Sequence, residues 1–233
     1  MAVRRQGAVM SDIAEQETRV AELRRTRGEE HPDTLAAMLD LAELLWKEGR
    51  IAAARPLEEQ VVAARLRLFG DKHPDTLKAM GKLATTIGAH GDLVRARAMQ
   101  QRIVELAPEV WGEDGRDTWR ALNNLAGTVA AEGDFDAARE LLESAVAAIT
   151  RLWGEDDGDS LAAMGNLAAI LWQIGERDEA YWLQQQVVDT RRRVHGEDDP
   201  ATRAAMAAFE IMQRDNGFWP PHLSGTAMPR SGP

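Results

Sequence analysis

A 42-residue period runs through the chain. The eight residues HPDTLAAM, which begin at His31, return as HPDTLKAM at His73, 42 residues later. Other positions keep the same step, and we call each set of equivalent positions a repeat column. The clearest columns are Gly28, Gly70, Gly112, Gly154 and Gly196; Gly49, Gly91, Gly133 and Gly175; Thr34, Thr76, Thr118, Ser160 and Thr202; Leu41, Leu83, Leu125 and Leu167; Ala42, Ala84, Ala126 and Ala168; and Ala54, Ala96, Ala138 and Ala180. Chance does not keep so many columns in step, so the period predicts a solenoid whose units stack on their neighbours.

Each repeat divides into two amphipathic helices. In segment 33–48 the apolar residues follow the i, i+3, i+4 spacing of one helical stripe, and Gly49 is placed to end that helix. Segment 51–69 carries a second stripe, and Gly70 is placed to end it. The alanine columns allow the two helices to approach closely, and the Leu41 column fills the core between them. The pattern therefore predicts an all-α chain.

Charge and cysteine content exclude several classes of protein. The net charge of −10 argues against a nucleic-acid binder, because such proteins usually carry a basic face, although a local basic patch stays compatible with it. The chain has no cysteine, which removes disulfides, thiolate catalysis and cysteine-based zinc sites. This composition fits a cytoplasmic protein, and the richness in alanine and arginine hints at a bacterial source of high GC content.

The amino-terminal stretch MAVRRQGAVM is a poor signal peptide. Its two arginines are not followed by an apolar core of the usual length, about 7–15 residues. No run of about 18 apolar residues occurs, so we expect no membrane span. Either Met1 or Met10 could be the start, since Ser11 or Asp12 would cap the helix that follows.

No catalytic or metal-binding motif stands out in the sequence. His31 and His73 lie beside the predicted helix starts, and we interpret them as loop or cap residues rather than metal ligands. The acidic loops GEDG, GEDDGD and GEDD lack the Asp/Asn ladder of an EF-hand, and their charge suits helix N-termini. There is no glycine-rich phosphate loop and no G-x-S-x-G turn. We therefore expect neither an enzyme nor a bound cofactor or metal.

The segment DTWRALNNLAGTVAAEGDFDAARELLESAV, from Asp117 to Val146, resembles a tetratricopeptide repeat. The 42-residue period and the HPDT…LNNLA phrasing are similar to the kinesin-light-chain subclass of that family, and the resemblance covers about residues 14–215. A HEAT-like array has a similar period but lacks this spacing of Gly and Ala. The resemblance implies a right-handed superhelical α-solenoid made of helix-turn-helix pairs.

The repeat columns also predict the organisation of the chain. We expect a disordered N-terminus over 1–10, a single array over 11–216 and a disordered Pro/Gly-rich tail over 217–233. Within the array we expect an unpaired helix at 11–27, four helix pairs and a terminal helix at 201–215. The four predicted pairs are 33–70, 75–112, 117–154 and 159–196.

The family resemblance implies that the first helix of each pair lines a concave groove. In the kinesin-light-chain phrasing, two asparagines in these helices bond the backbone of a ligand. Asn123, Asn124 and Asn166 match that pattern here, whereas Asp40 and Lys82 depart from it. The full set of peptide-groove candidates is Asp40, Glu43, Trp46, Lys78, Lys82, Arg120, Asn123, Asn124, Asn166 and Trp172.

These candidates predict a basic centre within an acidic protein. Lys78, Lys82 and Arg120 would attract an acidic peptide or a C-terminal carboxylate, and Trp46 or Trp172 would supply an apolar anchor. The alternative interpretation is that the charges are merely solvated and the tryptophans only pack between helices. Glycines inside first helices, Gly81 among them, favour a functional role, because glycine is costly within a helix.

The leading functional hypothesis is a non-enzymatic adaptor that binds a peptide or protein segment in the groove. A second hypothesis is a structural scaffold that self-assembles into a homo-oligomer through its terminal helices. A third is a peptide-sensing regulatory subunit, which would need an output partner. We expect no nucleic acid and no membrane among the partners.

Overall fold

The fold is all-α. The structure is a computed structural model that describes the backbone of residues 2–215 and the side chains of residues 12–214. Ten helices occupy the described backbone, and most of them alternate between 16 and 19 residues in length. They are α1 (Ala2–Arg27), α2 (Pro32–Lys47), α3 (Ile51–Phe69), α4 (Pro74–Ala89), α5 (Leu93–Trp111), α6 (Arg116–Ala131), α7 (Phe135–Trp153), α8 (Gly158–Ile174), α9 (Arg177–His195) and α10 (Pro200–Asp215).

The first helix differs from its expected bounds. It begins at Ala2 rather than at residue 11, so residues 2–10, which we expected to be disordered, are helical. None of these residues is a proline, and the helix continues through Gly7, which stands 42 residues before Gly49. The expected tail, 217–233, lies outside the described residues.

Helices end at glycines that recur every 21 residues. Nine glycines in this series, from Gly28 to Gly196, have φ between 72° and 93°, a region that favours glycine. At the end of α3 the amide of Gly70 donates to the carbonyl of Leu66 at 3.1 Å. The two glycine columns of the sequence are thus one series that ends each helix in turn.

Two histidines cap the helices that follow them. The Nδ1 atoms of His31 and His73 accept hydrogen bonds from the amides of Asp33 and Asp75, each at 3.2 Å. A proline follows each histidine at the helix start, where its missing N–H costs no helical bond. The interpretation of His31 and His73 as cap residues is confirmed.

The chain divides into two compact units, residues 1–152 and 153–233. In the first unit α1 packs on α2, and each helix from α2 to α5 packs on the next, while α4 also contacts α6. In the second unit α8 packs on α9 and α9 on α10. The single array over 11–216 and its right-handed superhelical course stay predictions.

The repeat columns form the cores of both units. The Leu41 column is 2–7% exposed, and the Ala54 column is 0% exposed. In two repeats a hydroxyl of the Thr34 column closes the loop before its helix: Thr34 donates to the carbonyl of Gly28 at 2.8 Å, and Thr118 to that of Gly112 at 2.7 Å. The predicted core columns are therefore confirmed.

The terminal helices replace core columns with polar residues. In α1 the places equivalent to Ala54 and Val61, which are both 0% exposed, hold the exposed residues Asp12 and Arg19. In α10 the Ala42 column continues as the exposed Glu210, and the Leu45 position as the exposed Gln213. Both ends of the repeat pattern thus carry caps of the kind that keep solenoids soluble.

Candidate functional site

Three first helices of the first unit, α2, α4 and α6, are joined by ion pairs. Lys82 of α4 places its Nζ 2.8 Å from Oε2 of Glu43 on α2. Lys78 of α4 places its Nζ 3.0 Å from Oδ2 of Asp117 on α6. We define the first-helix face as the surface of these helices that carries Asp40, Glu43, Trp46, Lys78, Lys82, Asp117, Arg120 and Asn124.

The expected basic centre is not a set of free cations. Lys78 and Arg120 both contact Asp117, with the Arg120 Nη1 at 3.4 Å from its Oδ1, and Lys82 contacts Glu43. The cations still outnumber these acids, and the role of this centre in binding a peptide stays a prediction. The acids come from a neighbouring turn or a neighbouring repeat, so they do not stand beside the lysines in the sequence.

Glu43 contacts two ammonium groups on this face. Hydrogen bonds from Lys47, four residues along the helix, and from Lys82 on the next repeat lower its pKa from 4.5 to about 2. The carboxylate therefore stays ionised throughout the physiological range. One carboxylate serves two ammonium groups here, which leaves an excess of one positive charge on this cluster.

A pocket of about 400 Å³ opens between α4, α5 and α6. Its walls combine the apolar side chains of Leu77, Ile103 and Ala121 with polar groups at the rim. Four of the candidates from the sequence lie around it, namely Lys78, Lys82, Arg120 and Asn124. The structure thus brings these four together at one place on the first-helix face.

The pocket also contains a residue that the sequence interpretation missed. Gln100 of α5 lines the pocket and is only 3% exposed, and its Oε1 has no hydrogen-bond partner. A buried polar atom without a partner is uncommon and costly. The signal was present in the sequence, because Gln16, Glu58, Gln100 and Gln184 occupy one repeat column of the second helices.

Two other glutamines of that column use their amides to hold the next helix. Gln16 donates to the carbonyl of Ala37 at 3.1 Å, and Gln184 donates to that of Ala205 at 2.8 Å. In both cases the acceptor lies 21 residues further along the chain, at the same place in the repeat. An amide N–H donor in this column therefore ties a second helix to the first helix that follows it.

Glu58 places a carboxyl group in the same column. It is 3% exposed, its Oε2 has no hydrogen-bond partner, and burial raises its pKa above the ordinary 4.5. The Thr86 hydroxyl and the Lys82 ammonium act in the opposite direction. An ionised carboxylate cannot donate a hydrogen bond to the next helix as the glutamine amides do. Burial of the ionised form of Glu58 is therefore unfavourable.

The remaining candidates are distributed over both units. Trp46 is 41% exposed on α2, and Asn123 is half-buried on α6. Asp40 lies 3.9 Å from Arg19 of α1. Asn166 and Trp172 belong to α8 in the second unit, where the guanidinium carbon of Arg177 lies 4.7 Å from the centroid of the Trp172 ring.

Within side chains 12–214 no group of three or more His, Asp or Glu residues is arranged to hold a metal ion. None of the helices in the described backbone is long and apolar enough to cross a membrane.

The helix pairs of the two units define an all-α repeat protein of the solenoid class. Two family models described as tetratricopeptide repeat match the chain, over residues 34–75 and 117–181. A comparison with curated proteins finds no match. Both matched segments cover repeats that the 42-residue period had delimited.

Solved structures give the same result. The chain is 27% identical to nearly identical TPR-like repeats assigned to a kinesin light chain of Podosopora anserina, with a TM-score of 0.67 over 82% of this chain and 90% of that one. BtubC (BKLC) from P. vanneervenii is 20% identical, with a TM-score of 0.68 over 97% of this chain and 99% of that one. A Rap protein complexed with Competence and Sporulation Factor is 13% identical, with a TM-score of 0.66 over 91% of this chain and 62% of that one. The last two likenesses concern the fold alone.

The chain is a tetratricopeptide-repeat protein, and its repeats are of the kinesin-light-chain-like kind.

Proposed function

We propose that this chain is a non-catalytic interaction module that binds an extended segment of a partner protein on its first-helix face. The observation that carries the proposal is the pocket of about 400 Å³ between α4, α5 and α6, with Lys78, Lys82, Arg120 and Asn124 around it. Concave sites with an apolar lining and a few polar groups are the usual form of a binding site.

The charges of the face favour a segment that carries a carboxylate. Glu43 shares its single negative charge between Lys47 and Lys82, so an incoming carboxylate would complete the balance. The side chains of Glu43, Lys47 and Lys82 are about half exposed, and exposed ion pairs contribute little to stability. Moving a lysine from Glu43 to the incoming carboxylate therefore costs little free energy. An acidic segment or a C-terminal carboxylate is thus the partner chemistry that we propose.

Neutral groups on the same face suit the rest of an extended segment. The side-chain amide of Asn124 can both donate to and accept from a peptide backbone. Trp46 offers an exposed aromatic surface on α2, and aromatic residues are frequent anchors at interfaces. The Rap protein with a similar fold is complexed with Competence and Sporulation Factor, which supports a binding role for an array of this kind.

The capped ends weigh against the scaffold hypothesis. Asp12 and Arg19 at one end, and Glu210 and Gln213 at the other, occupy places that are apolar in the inner repeats. Self-assembly through the terminal helices would bury these polar groups against a second copy. The proposed interaction therefore uses the first-helix face and not the ends of the array.

The experiment that tests this function selects peptides on the purified chain. A displayed library of random twelve-residue peptides is selected against the wild type, and the selected peptides are titrated against Lys82→Glu/Arg120→Glu. A matched control, Lys72→Glu/Arg151→Glu, makes the same change of net charge on exposed residues that lie outside this face. We expect binding to be lost in the first variant and kept in the control, with helical circular dichroism unchanged in both. Equal binding by all three proteins would contradict the proposal.

A further inference from the structure

Two residues that line the pocket are unfavourable where they stand in the fold. Gly81 lies inside α4, where glycine is less favourable than alanine. Gln100 is buried in α5 and leaves its Oε1 without a hydrogen-bond partner. Both residues line the same pocket.

Gly81 provides space. A Cβ atom built on Gly81 would meet only the Cδ1 of Ile103, at 3.9 Å, which is an ordinary contact. The equivalent position in the preceding repeat is Leu39, whose half-buried side chain packs against the core. The missing side chain at position 81 thus leaves open a volume that a leucine occupies in the repeat before it.

Gln100 provides an acceptor. Gln16 and Gln184 occupy the same column and bond the helix that follows, so an amide here normally has a structural use. The next repeat shows that the fold does not require it, because the equivalent Leu142 is buried at 1% exposure. The unpartnered Oε1 of Gln100 therefore stands ready for a donor that enters the pocket.

The charges around the pocket restrict which side chain can enter. Three cations at the rim, Lys78, Lys82 and Arg120, outnumber its one carboxylate, Asp117, and so oppose the entry of a lysine or an arginine. The free oxygen of Gln100 opposes a carboxylate, and the apolar wall of Leu77, Ile103 and Ala121 favours a side chain with an apolar stem. A carboxamide satisfies both surfaces, because it presents its donor and its acceptor on separate atoms.

We propose that this pocket binds a glutamine or asparagine side chain of the partner segment, whose N–H donates to Oε1 of Gln100 while its carbonyl oxygen faces the cations of the rim. The inference rests on the proposed function and specifies its recognition element. The pocket would thus select a neutral carboxamide residue of the segment, while an acidic residue of the same segment meets Lys82 beside the pocket. The partner is thus a segment that combines the two.

Two substitutions test the pocket with side chains that other repeats already use. Gly81→Leu fills the space as Leu39 does, and Gln100→Leu removes the acceptor as Leu142 does. Gln184→Leu makes the same chemical change in the second unit and serves as the matched control. Gly81→Ala gives a milder filling that keeps the helix intact if the leucine variant does not fold.

The probe is the peptide selected from the random twelve-residue library on the wild-type chain. We expect it to contain a glutamine or asparagine whose change to leucine or to glutamate weakens binding by about tenfold, roughly the effect of one buried hydrogen bond. Gln100→Leu should weaken binding of the original peptide by a similar factor. This variant should bind the original peptide and the peptide with leucine in place of the carboxamide residue equally well. Gly81→Leu should abolish binding, and Gln184→Leu should leave it unchanged.

The possible failures are distinguishable. One failure concerns the pocket alone: the peptides lose binding to Lys82→Glu/Arg120→Glu but bind Gly81→Leu and Gln100→Leu as tightly as the wild type. That result would overturn the proposed carboxamide pocket and leave the proposed binding face intact. Selected peptides with no carboxamide requirement would overturn the pocket as well. The absence of any selected peptide would overturn the proposed function and the inference together.

Discussion

Lys72 and Glu109 form an ion pair, with Nζ 2.8 Å from Oε1, in which the two charges stand in the reverse order to those of the other repeats. The equivalent pairs are Glu30 with Arg67, Asp114 with Arg151, and Asp156 with Arg193. Each joins residues 37 positions apart, from the loop before a first helix to the end of the second helix of the same pair. The reversal keeps opposite charges together, which shows that the contact recurs in every pair.

This reversal predicts the outcome of a charge swap. Lys72→Glu alone should destabilise the chain, because it places two carboxylates together, and Lys72→Glu/Glu109→Arg should restore stability by recreating the order of the other repeats. The groups are exposed, so we expect a coupling energy of about 0.5 kcal/mol. Urea unfolding of the two single variants and the double variant measures it. A coupling that is absent, or that persists unchanged in 1 M salt, about the level that shortens the Debye length to 3 Å, would contradict this account.

Glu58→Gln should stabilise the chain at neutral pH. The new amide can donate to the next helix as Gln16 and Gln184 do, and it removes the cost of a buried carboxylate, so we expect a gain of roughly 1 kcal/mol or more. Folding raises the pKa of Glu58, so the contribution of its protonated form is full below the unfolded value of 4.5 and is lost as the pH rises through the folded value. The advantage of the variant should therefore grow as the pH rises above 4.5.

Thermal unfolding from pH 4 to pH 8 checks this pH dependence. The neighbouring Glu59→Gln is the control, because Glu59 is a more exposed carboxylate that pairs with Arg55 at 3.0 Å. We expect the control to lose a little stability and to show no gain with rising pH. An advantage of Glu58→Gln that stays constant with pH would mean that the buried group does not titrate as described.

Alanine should have opposite effects at two glycines. Gly81→Ala should stabilise the chain by about 1 kcal/mol, because alanine is the better helix former and its methyl group meets only Ile103 at 3.9 Å. Gly49→Ala should destabilise it by about 1–2 kcal/mol, because Gly49 has φ of 72°, where a Cβ is strained. Denaturant midpoints of the two variants against the wild type give both signs. Two changes of the same sign would show that helix propensity and backbone conformation do not govern these positions.

The polar caps predict that the chain does not associate through its ends. Light scattering of the wild type should give a monomer mass that is independent of concentration. Asp12→Ala/Arg19→Val restores residue types found at the equivalent places of inner helices and should promote association at high concentration. Association by the wild type itself would instead favour the scaffold hypothesis.

Most of the fold could be predicted from the sequence, because the information is local and repeated. The period of 42 residues and its glycines gave the helix bounds to within about a residue in α2 and α3, which occupy Pro32–Phe69 against the expected 33–70. The start of α1 was wrong, because the helix begins at Ala2 and continues through Gly7, although Gly7 stands 42 residues before Gly49.

The candidate site was less predictable. The sequence interpretation selected Lys78, Lys82 and Arg120 by their place in the first helices, and the structure does place them around one pocket. The sequence interpretation did not predict which acids pair with Lys82 and Lys78. Glu43 and Asp117 each lie 39 residues away from these lysines, and they become neighbours only when first helices of adjacent repeats pack together.

The sequence by itself determined where the helices of the repeats begin and end and which face of each is buried. Caps, glycines with positive φ and apolar stripes act over a few residues, and the 42-residue repeat states them several times over. The tertiary structure alone decided which charges are neutralised and where a side chain is missing from the packing. An ion pair such as Lys82 with Glu43, or the space beside Gly81, depends on the distance between residues of different helices, and that distance exists only after the repeats have stacked.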